Sequence, residues 1–400
     1  KRQVMNGSRV LTNWINAGGG DYYVGGQTQQ TPTKGGCNFL PDGSRDDRCR
    51  FAEQVFVNGN PLRQVFSRSA LNASNFYFDY GADRIYIGQS PGGKFIETSV
   101  TQRAFASGAS GVVVDGMTIE KYSTRAQDGA IQSGNGWTVR NNEVRYVHGT
   151  CIRTASNARI LNNYTHHCGQ LGIGGVGNNL LIQGNEVSFN NTEGFLVDWE
   201  GGGIKIAVSR DVTFRNNYVH RNIGRGIWTD LDVINSLVED NRIEWNDYEG
   251  IKHEVSWDAV IRNNFVRFNG TFKHVQLWGA QILIQNSSNV EVYGNEVWVH
   301  SSGGDGIGMV RQNRGSGPNG TYTTANNNVH HNEIHHQTTT GNNGLAGGCN
   351  SGLNNRMNNN TYYAPSNYFT QARFEMCGPL RTWNQFRAAG WEANGVAVPN

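Results

Sequence analysis

Val212-Thr-Phe-Arg-Asn-Asn217-Tyr-Val219 is one copy of a phrase that recurs along the chain, in which apolar residues flank an Asn. The phrase returns at Asn142, Asn163, Asn185, Asn217, Asn241, Asn264, Asn295 and Asn332, in steps of 21, 22, 32, 24, 23, 31 and 37 residues. Short strands that repeat at such a period, separated by Asn and Gly, are typical of a solenoid. The sequence therefore predicts an all-β, right-handed parallel β-helix whose equivalent strands stack about 4.8 Å apart.

The repeated Asn is expected to be structural. Equivalent residues of successive coils stack, so buried corner amides can satisfy one another's hydrogen bonds. The chain holds 52 glycines and only 16% charged residues, which suits many tight corners, because Gly and Asn tolerate a left-handed backbone. The Asn positions thus serve to align the coils.

The repeat occupies the middle of the chain. We predict a β-rich N-terminal cap over residues 1–107, the β-helix over 108–340 and a C-terminal capping segment over 341–400, because an uncovered solenoid end exposes unpaired strand edges. The net charge is +2 and no basic stripe alternates with aromatic residues, which argues against a nucleic-acid partner. No apolar run reaches the length of a membrane span, and we expect a monomer.

Six cysteines form three local pairs: Cys37 with Cys49, Cys151 with Cys168, and Cys349 with Cys377. None has the CxxC spacing of zinc or redox sites, and an even number in local pairs favours disulfides over buried free thiols. Disulfides persist in oxidising compartments, so we expect a secreted, extracellular protein. Since no signal peptide is recognisable at Lys1, we expect this sequence to be a mature form that has lost its leader.

Counting ten residues from Asn217 and Asn241 aligns two strands that begin with Gly-Ile, at 226–227 and 250–251. Side chains alternate faces along a strand. If both isoleucines point into the core, the outward face carries Trp228, Asp230 and Asp232 in one coil, and Lys252 and Glu254 in the next.

Neighbouring coils extend this outward strip. Lys205 takes the corresponding place one coil earlier, and its 32-residue coil contains an insertion, residues 191–202, that is expected to form one wall of a groove. The side chains expected to bind substrate there are Lys205, Lys252, Trp228, Trp199, Arg153, Asp198, Glu200, Trp278 and, after a one-residue slip, Gln276. Trp199 and Trp228 would offer flat apolar surfaces to sugar rings.

Asp230 and Glu254 share one register, so their repulsion is expected to raise the pKa of one of them. Glycosidases use such a pair, and Asp232 is an alternative second carboxylate. Strict alternation points His253 inward as a hydrogen-bonded core residue, whereas a bulge would place it beside Glu254 as an acid–base candidate. The alternative for the whole cluster is a set of ion pairs across coils without chemistry.

Three segments carry a resemblance to known proteins: Trp199-Glu200-Gly-Gly-Gly-Ile-Lys205, Gly226-Ile-Trp-Thr-Asp230-Leu-Asp232 and Gly250-Ile-Lys-His253-Glu254. Together with the repeat, they resemble secreted bacterial right-handed β-helix proteins of the pectate-lyase-like superfamily, over about residues 111–336. That resemblance implies a carbohydrate-active protein with polysaccharide bound along the outward strand faces. The fold hosts lyases, hydrolases, epimerases and phage depolymerases, so it does not choose the reaction.

Three hypotheses follow. The first is an extracellular glycoside hydrolase that uses Asp230 and Glu254 and requires no cofactor. The second is a polysaccharide lyase or uronate epimerase, in which Lys205 or Lys252 is the base and Ca²⁺ is held by Asp198, Glu200, Asp230 or Asp232. The third is a non-catalytic carbohydrate-binding solenoid.

Overall fold

The computed structural model describes residues 2–33, 35–40, 43–272, 276–348 and 352–400. Its main body is a parallel β-helix, and a full coil adds one strand to each of three sheets. The predicted all-β parallel β-helix is confirmed. Within a coil the chain passes from the third sheet to the first and then to the second.

The first sheet contains, in order, Gln3–Asn6, Met117–Glu120, Glu143–Arg145, Tyr164–His166, Glu186–Ser188, Tyr218–His220, Arg242–Glu244, Phe265–Arg267, Glu296–Val299, Glu333–His336, Thr361–Ala364 and Val396–Pro399. The second sheet contains Phe105–Ala106, Gly129–Gln132, Thr150–Thr154, Leu171–Gly175, Gly202–Ala207, Arg225–Asp230, Ile251–Glu254, Ala280–Gln285, Asp305–Val310, Asn343–Ala346, Phe374–Met376 and Leu380–Arg381. The third sheet contains Val113–Asp115, Thr138–Arg140, Arg159–Leu161, Leu180–Gln183, Arg210–Arg215, Ile234–Glu239, Trp257–Arg262, Ser288–Tyr293, Asn328–His330 and Arg356–Asn358.

The remaining elements lie outside these sheets. An N-terminal sheet contains, in spatial order, Ser8–Val10, Ile96–Ser99, Val55–Val57, Asn60–Val65, Asn75–Asp79, Arg84–Ile87, Asp21–Val24 and Ile15–Gly18. A hairpin pairs Ser316–Gly317 with Gly320–Thr321. The helices are Val197–Glu200 and Trp383–Ala388, with 3₁₀ turns at Asp47–Arg50, Arg68–Ala70 and Ser366–Tyr368. No helix of the described chain has the length and apolarity that crossing a membrane requires.

The repeated Asn forms a continuous ladder between the third and first sheets. The side-chain NH₂ of each Asn donates to the side-chain oxygen of the Asn one coil later. The distance is 3.0 Å from Asn185 to Asn217 and 2.9 Å from Asn217 to Asn241. The ladder continues past Asn332 to Asn360 and ends on the carboxylate of Glu392, 2.6 Å away. The structural role predicted for these residues agrees with their burial and their full set of partners.

A second ladder went unnoticed in the sequence. Between the first and second sheets, Asn190, Asn222, Asn246 and Asn269 are linked in the same way, and the row ends on Gln281. This pair of ladders holds both ends of every first-sheet strand from 186 to 267.

The sheets of the β-helix extend beyond the predicted boundaries. Gln3–Asn6 pairs in parallel with Met117–Glu120, so the chain starts on the β-helix before it forms the N-terminal sheet. At the other end, strands after residue 340 continue all three sheets. Asn360 sits in the Asn ladder although its phrase is too degenerate to recognise, which is why the sequence placed this coil in a separate segment.

Two of the predicted disulfides are present. Cys37 is bonded to Cys49 and Cys151 to Cys168, with Cα–Cα distances of 5.6 and 5.7 Å. The third predicted pair includes Cys349, which lies outside the described residues.

Candidate active site on the second sheet

Two carboxylates lie side by side on the outward face of the second sheet. Ile227 pairs with Ile251 and Thr229 with His253, so Asp230 and Glu254 are the next residues along the two strands. Both isoleucines are buried in the core. The alignment made by counting from the Asn ladder is therefore correct at this point.

Two residues before the carboxylates, the strands present a row of cations around a Trp. Arg153 pairs with Gly174, Gly174 with Lys205, Lys205 with Trp228, and Trp228 with Lys252, as the alignment predicted. The Lys205 ammonium lies 2.9 Å from Oδ2 of Asp230 and 3.3 Å from Oε1 of Glu200. Lys205 therefore forms ion pairs both with Asp230 on the second sheet and with Glu200 in the insertion, residues 191–202.

Trp228 is only 3% exposed and offers no surface to a sugar. Its ring centroid lies 3.7 Å from Nζ of Lys205, 5.1 Å from Nζ of Lys252 and 4.4 Å from the guanidinium carbon of Arg225. The predicted role as an exposed platform is wrong, because the cations cover the ring. Their attraction to its π face instead keeps three like charges close together.

Glu254 is held by two cations and an indole. Nζ of Lys252 is 2.6 Å from Oε2, Nη1 of Arg314 is 2.5 Å from Oε1, and Nε1 of Trp228 donates to Oε2 at 3.1 Å. Burial by itself would raise the pKa of Glu254, but Lys252, Arg225 and Arg314 outweigh it and hold that pKa below its usual value. Glu254 is thus ionised at neutral pH.

Repulsion between Asp230 and Glu254 was expected to raise the pKa of one of them, and the pKa of Glu254 is not raised. The raised carboxyl pKa in this cluster belongs to Glu200, where burial is the main cause and outweighs the attraction of Lys205. The pKa of Lys252 is lowered by burial and by Arg225. Desolvation and neighbouring cations are therefore the largest influences on the pKa values of Glu254, Glu200 and Lys252.

Asp232 leaves the outward face that the alternation assigned to it. The strand ends at Asp230, and Leu231 and Asp232 adopt φ values of 53° and 60°, which turn the chain. Tyr322 then donates to Oδ2 of Asp232 at 3.0 Å, and Asn319 lies 3.4 Å from Oδ1. Asp232 anchors a hairpin instead of pairing with Asp230.

Gln276 is also misplaced. It lies exposed in a turn, and Leu283 is the residue that pairs with Lys252. The coil is longer than its predecessor, so its strand starts later than the count from Asn264 indicated. Trp278 does reach the site, with its ring centroid 5.3 Å from Nζ of Lys252.

The insertion forms one wall of the groove. Asp198 accepts from Arg225 at 2.8 Å, and the carbonyl of Trp199 accepts from Lys205 at 2.6 Å. The ring of Trp199 packs with Phe195 beside the Cys37–Cys49 disulfide. The N-terminal segment supports this wall, since Leu196 donates to the carbonyl of Gly36 at 2.8 Å.

Residues 311–324, which contain the hairpin, form the opposite wall. Between the walls lies a depression of about 260 Å³ lined by Asp198, Lys252, Glu254, Trp278, Gln285, Gln312 and Arg314. A second depression of about 200 Å³, on the side of the earlier coils, includes Arg153, Glu200 and Lys205. The carboxylates therefore stand between two hollows of one groove.

Three charged residues of the site went unrecognised in the sequence. Nε of Arg225 lies 2.7 Å from Oε2 of Glu249, and both side chains are buried. Counted back from the inward Ile227 and Ile251, strict alternation would point Arg225 and Glu249 into the core. The alternation is broken at Gly226, which itself faces the core, since a Cβ added there would meet Ile243 and Asn246. A charge directly before Gly-Ile in two successive coils was the available clue. Arg314 offered none, because it lies 60 residues from Glu254.

His253 lies in the core, as strict alternation predicted. It is 1% exposed, and its Nδ1 is 2.6 Å from Oγ1 of Thr229. Burial lowers its pKa to about 3. Its assignment as an acid–base candidate is wrong, because no bulge turns the ring outward.

The variant His253→Gln tests this burial. Below a pH of about 6.5 the unfolded chain protonates His253 and the folded chain does not, so the wild type loses stability as the pH falls toward the lowered pKa. We expect the stability advantage of wild type over variant to shrink by about 1.4 kcal/mol per pH unit below about pH 6. Urea unfolding at several pH values measures it, and a constant difference would contradict the assignment.

Within the described residues, no group of three or more His, Cys, Asp or Glu side chains has an arrangement suited to a metal ion. The calcium of the second hypothesis stays a prediction.

Comparisons with known proteins bear on the fold. No curated protein matches the sequence. Among solved structures, the complex structure of XylC with xylose superposes with a TM-score of 0.73 at 15% identity, covering 99% of this chain and 75% of that one. The A-module of the Azotobacter vinelandii mannuronan C-5 epimerase AlgE6 reaches a TM-score of 0.44 at 15% identity, covering 73% and 80%.

A family model described as a right-handed beta helix region matches residues 64–228 and 128–264, which together span just over half of the sequence. The match includes the Asn phrases from Asn142 to Asn264 and the strands that carry Asp230 and Glu254. The chain therefore belongs to the right-handed β-helix family.

Proposed function

We propose that the protein is a glycoside hydrolase that cleaves a poly- or oligosaccharide bound along the outward face of the second sheet. The proposal rests on the adjacency of Asp230 and Glu254 between the two hollows of the groove. Glycosidases need two carboxyl groups that flank the scissile bond. XylC, solved as a complex with xylose, has this fold and supports a sugar as the ligand.

The charges of the cluster suggest how the work is divided. Glu254 supplies the ionised carboxylate, because Lys252 and Arg314 hold its pKa low. Asp230 and Glu200 share the ammonium of Lys205 and are the two candidates for the proton donor. Burial raises the pKa of Glu200, and a raised pKa keeps a carboxyl group protonated until the leaving oxygen needs a proton.

Surrounding side chains bind and orient the substrate in this proposal. Trp278 lines the hollow beside Glu254, and Asp198 and Gln285 offer hydrogen bonds there. Arg153 lines the other hollow. The two disulfides support a secreted location, since such bonds persist in oxidising compartments.

One observation favours a second candidate, a polysaccharide lyase or uronate epimerase. The pKa of Lys252 is lowered by burial and by Arg225, and an amine with a lowered pKa suits a base that removes a proton next to a carboxylate.

A panel of polysaccharides distinguishes the two candidates. We expect the protein to release new reducing ends without the near-ultraviolet absorbance of an unsaturated product, and to keep its activity in a chelator. Products that carry a new double bond, or epimerised sugars without chain cleavage, would replace the hydrolase with the second candidate. Binding without any product would leave a carbohydrate-binding solenoid.

A further inference from the structure

Three aliphatic side chains lie exposed next to the carboxylates. Val176, Val208 and Leu231 are 40%, 60% and 46% exposed. Leu231 directly follows Asp230, and Val208 follows Ala207, which pairs with Asp230. They stand at the corner where the chain leaves the second sheet, within reach of the proposed reaction.

The backbone at this corner is unfavourable for the residues it carries. Val208 and Leu231 adopt φ values of 47° and 53°. A branched or bulky residue rarely adopts this left-handed conformation, whereas Asn and Gly do so readily. The same conformation recurs at this position in the next two coils, at Val255 and Asn286, so it belongs to the corner of the β-helix.

Later coils show what the same position looks like when the protein covers it. Glu254 pairs with Gln285, so Val255 and Asn286 are the next residues in this row, and both are buried at φ values of 42° and 48°. The amide of Asn286 donates to the carbonyls of Gln312 and Tyr322 on the hairpin wall. At Val208 and Leu231 the side chains stay exposed.

The exposed corner borders a hollow of about 200 Å³, whose lining also includes Ala207 and the polar residues Gln127, Thr150, Arg153, Glu200 and Lys205. Glu200 and Lys205 are paired with each other, Lys205 also with Asp230, and Arg153 donates to the carbonyl of Gln127. The corner thus offers a ligand apolar contact with few free hydrogen-bonding groups. A bare sugar, which presents many hydroxyl groups, fits such a surface poorly.

We propose that Val176, Val208 and Leu231 form a subsite for an aromatic group attached to the sugar, next to the bond that is cleaved. This inference rests on the proposed hydrolase function, because that function places the reacting bond at Asp230. Burying the aromatic group covers apolar surface that water otherwise contacts.

The variant Val208→Asn tests the subsite without damaging the fold, since the protein already uses Asn at this position in Asn286. We expect its melting temperature to equal or exceed that of the wild type. Its KM for a 4-nitrophenyl glycoside of the cleaved sugar should rise by about 10-fold, the effect of losing a small apolar contact. Its kcat, and its KM for the unsubstituted oligosaccharide, should stay unchanged.

The matched control is Val113→Asn, an exposed Val of the third sheet, for which both KM values should equal the wild type. Unchanged KM for the nitrophenyl glycoside in Val208→Asn would overturn the subsite and leave the hydrolase intact. If the wild type cleaves no glycoside, the proposed hydrolase function is wrong. The subsite is then tested by calorimetry, in which a panel of 4-nitrophenyl glycosides is titrated into the wild type and into Val208→Asn. Binding that the variant loses supports it, and no binding or equal binding overturns it.

Discussion

Asp230→Asn is expected to lower kcat by about 10² to 10⁴-fold, with a smaller change in KM, because the amide keeps the size of the side chain but removes the carboxylate that stands beside Glu254 and pairs with the ammonium of Lys205. The same holds for Glu254→Gln, where Lys252 and Arg314 would face a neutral group. Kinetics on the substrate found in the polysaccharide panel measure both effects. Melting temperatures near that of the wild type show that the fold is retained.

The matched control is Asp232→Asn. Asp232 is held by Tyr322 and Asn319 on the hairpin and does not share the outward face with Asp230, so this variant should keep a rate close to the wild type. An Asp230→Asn protein that works as well as the control would place the chemistry elsewhere in the groove.

The pH dependence separates Asp230 from Glu200 as the proton donor. A donor must be protonated, so activity falls as the pH rises through its pKa. Of the two variants Asp230→Asn and Glu200→Gln, the one that removes the proton donor should lose the fall in activity at alkaline pH. The other variant should keep it. Because burial raises the pKa of Glu200, we expect Glu200→Gln to remove it. An alkaline limb that survives in both variants would exclude both residues as donor.

Asn217→Leu is the substitution expected to destabilise the fold most. The change removes the oxygen that accepts from the backbone and side-chain amides of Asn185, both at 3.0 Å, and the amide that donates to Ile182 and Asn241. Each buried polar group left without a partner costs about 1–3 kcal/mol, so the loss should exceed about 3 kcal/mol. Thermal unfolding measures the shift, and hydrogen exchange should show it centred on the neighbouring coils, because contacts in a solenoid join adjacent repeats.

Asn157→Gly provides the comparison. Asn157 also lies in a row of stacked amides, but its side chain is exposed to water and its backbone is left-handed. Glycine accepts the same conformation, so we expect only a small change in melting temperature. Equal losses in the two variants would show that the buried ladder has no special weight.

The β-helix and the alignment of its coils followed from the sequence alone. The fold depends on a local period, and the Asn phrase repeats that period often enough to count residues from it. Counting brought Asp230 beside Glu254 and placed Lys205, Trp228 and Lys252 in one row, all of which the strand pairing confirms. The same alternation put His253 in the core. Where a coil lengthens, as before Gln276, the count fails because nothing local marks where the strand resumes.

Only the tertiary structure decided what surrounds those side chains. Arg314 reaches Glu254 across 60 residues, and Tyr322 reaches Asp232 across 90. The cations that bury Trp228 belong to three different strands. Charge states and exposure depend on such distant neighbours, whereas strand spacing depends on residues a few positions apart. The sequence therefore determined where the carboxylates stand, and the folded chain determined that Glu254 is ionised, that Asp232 is occupied elsewhere and that the corner at Val208 stays open.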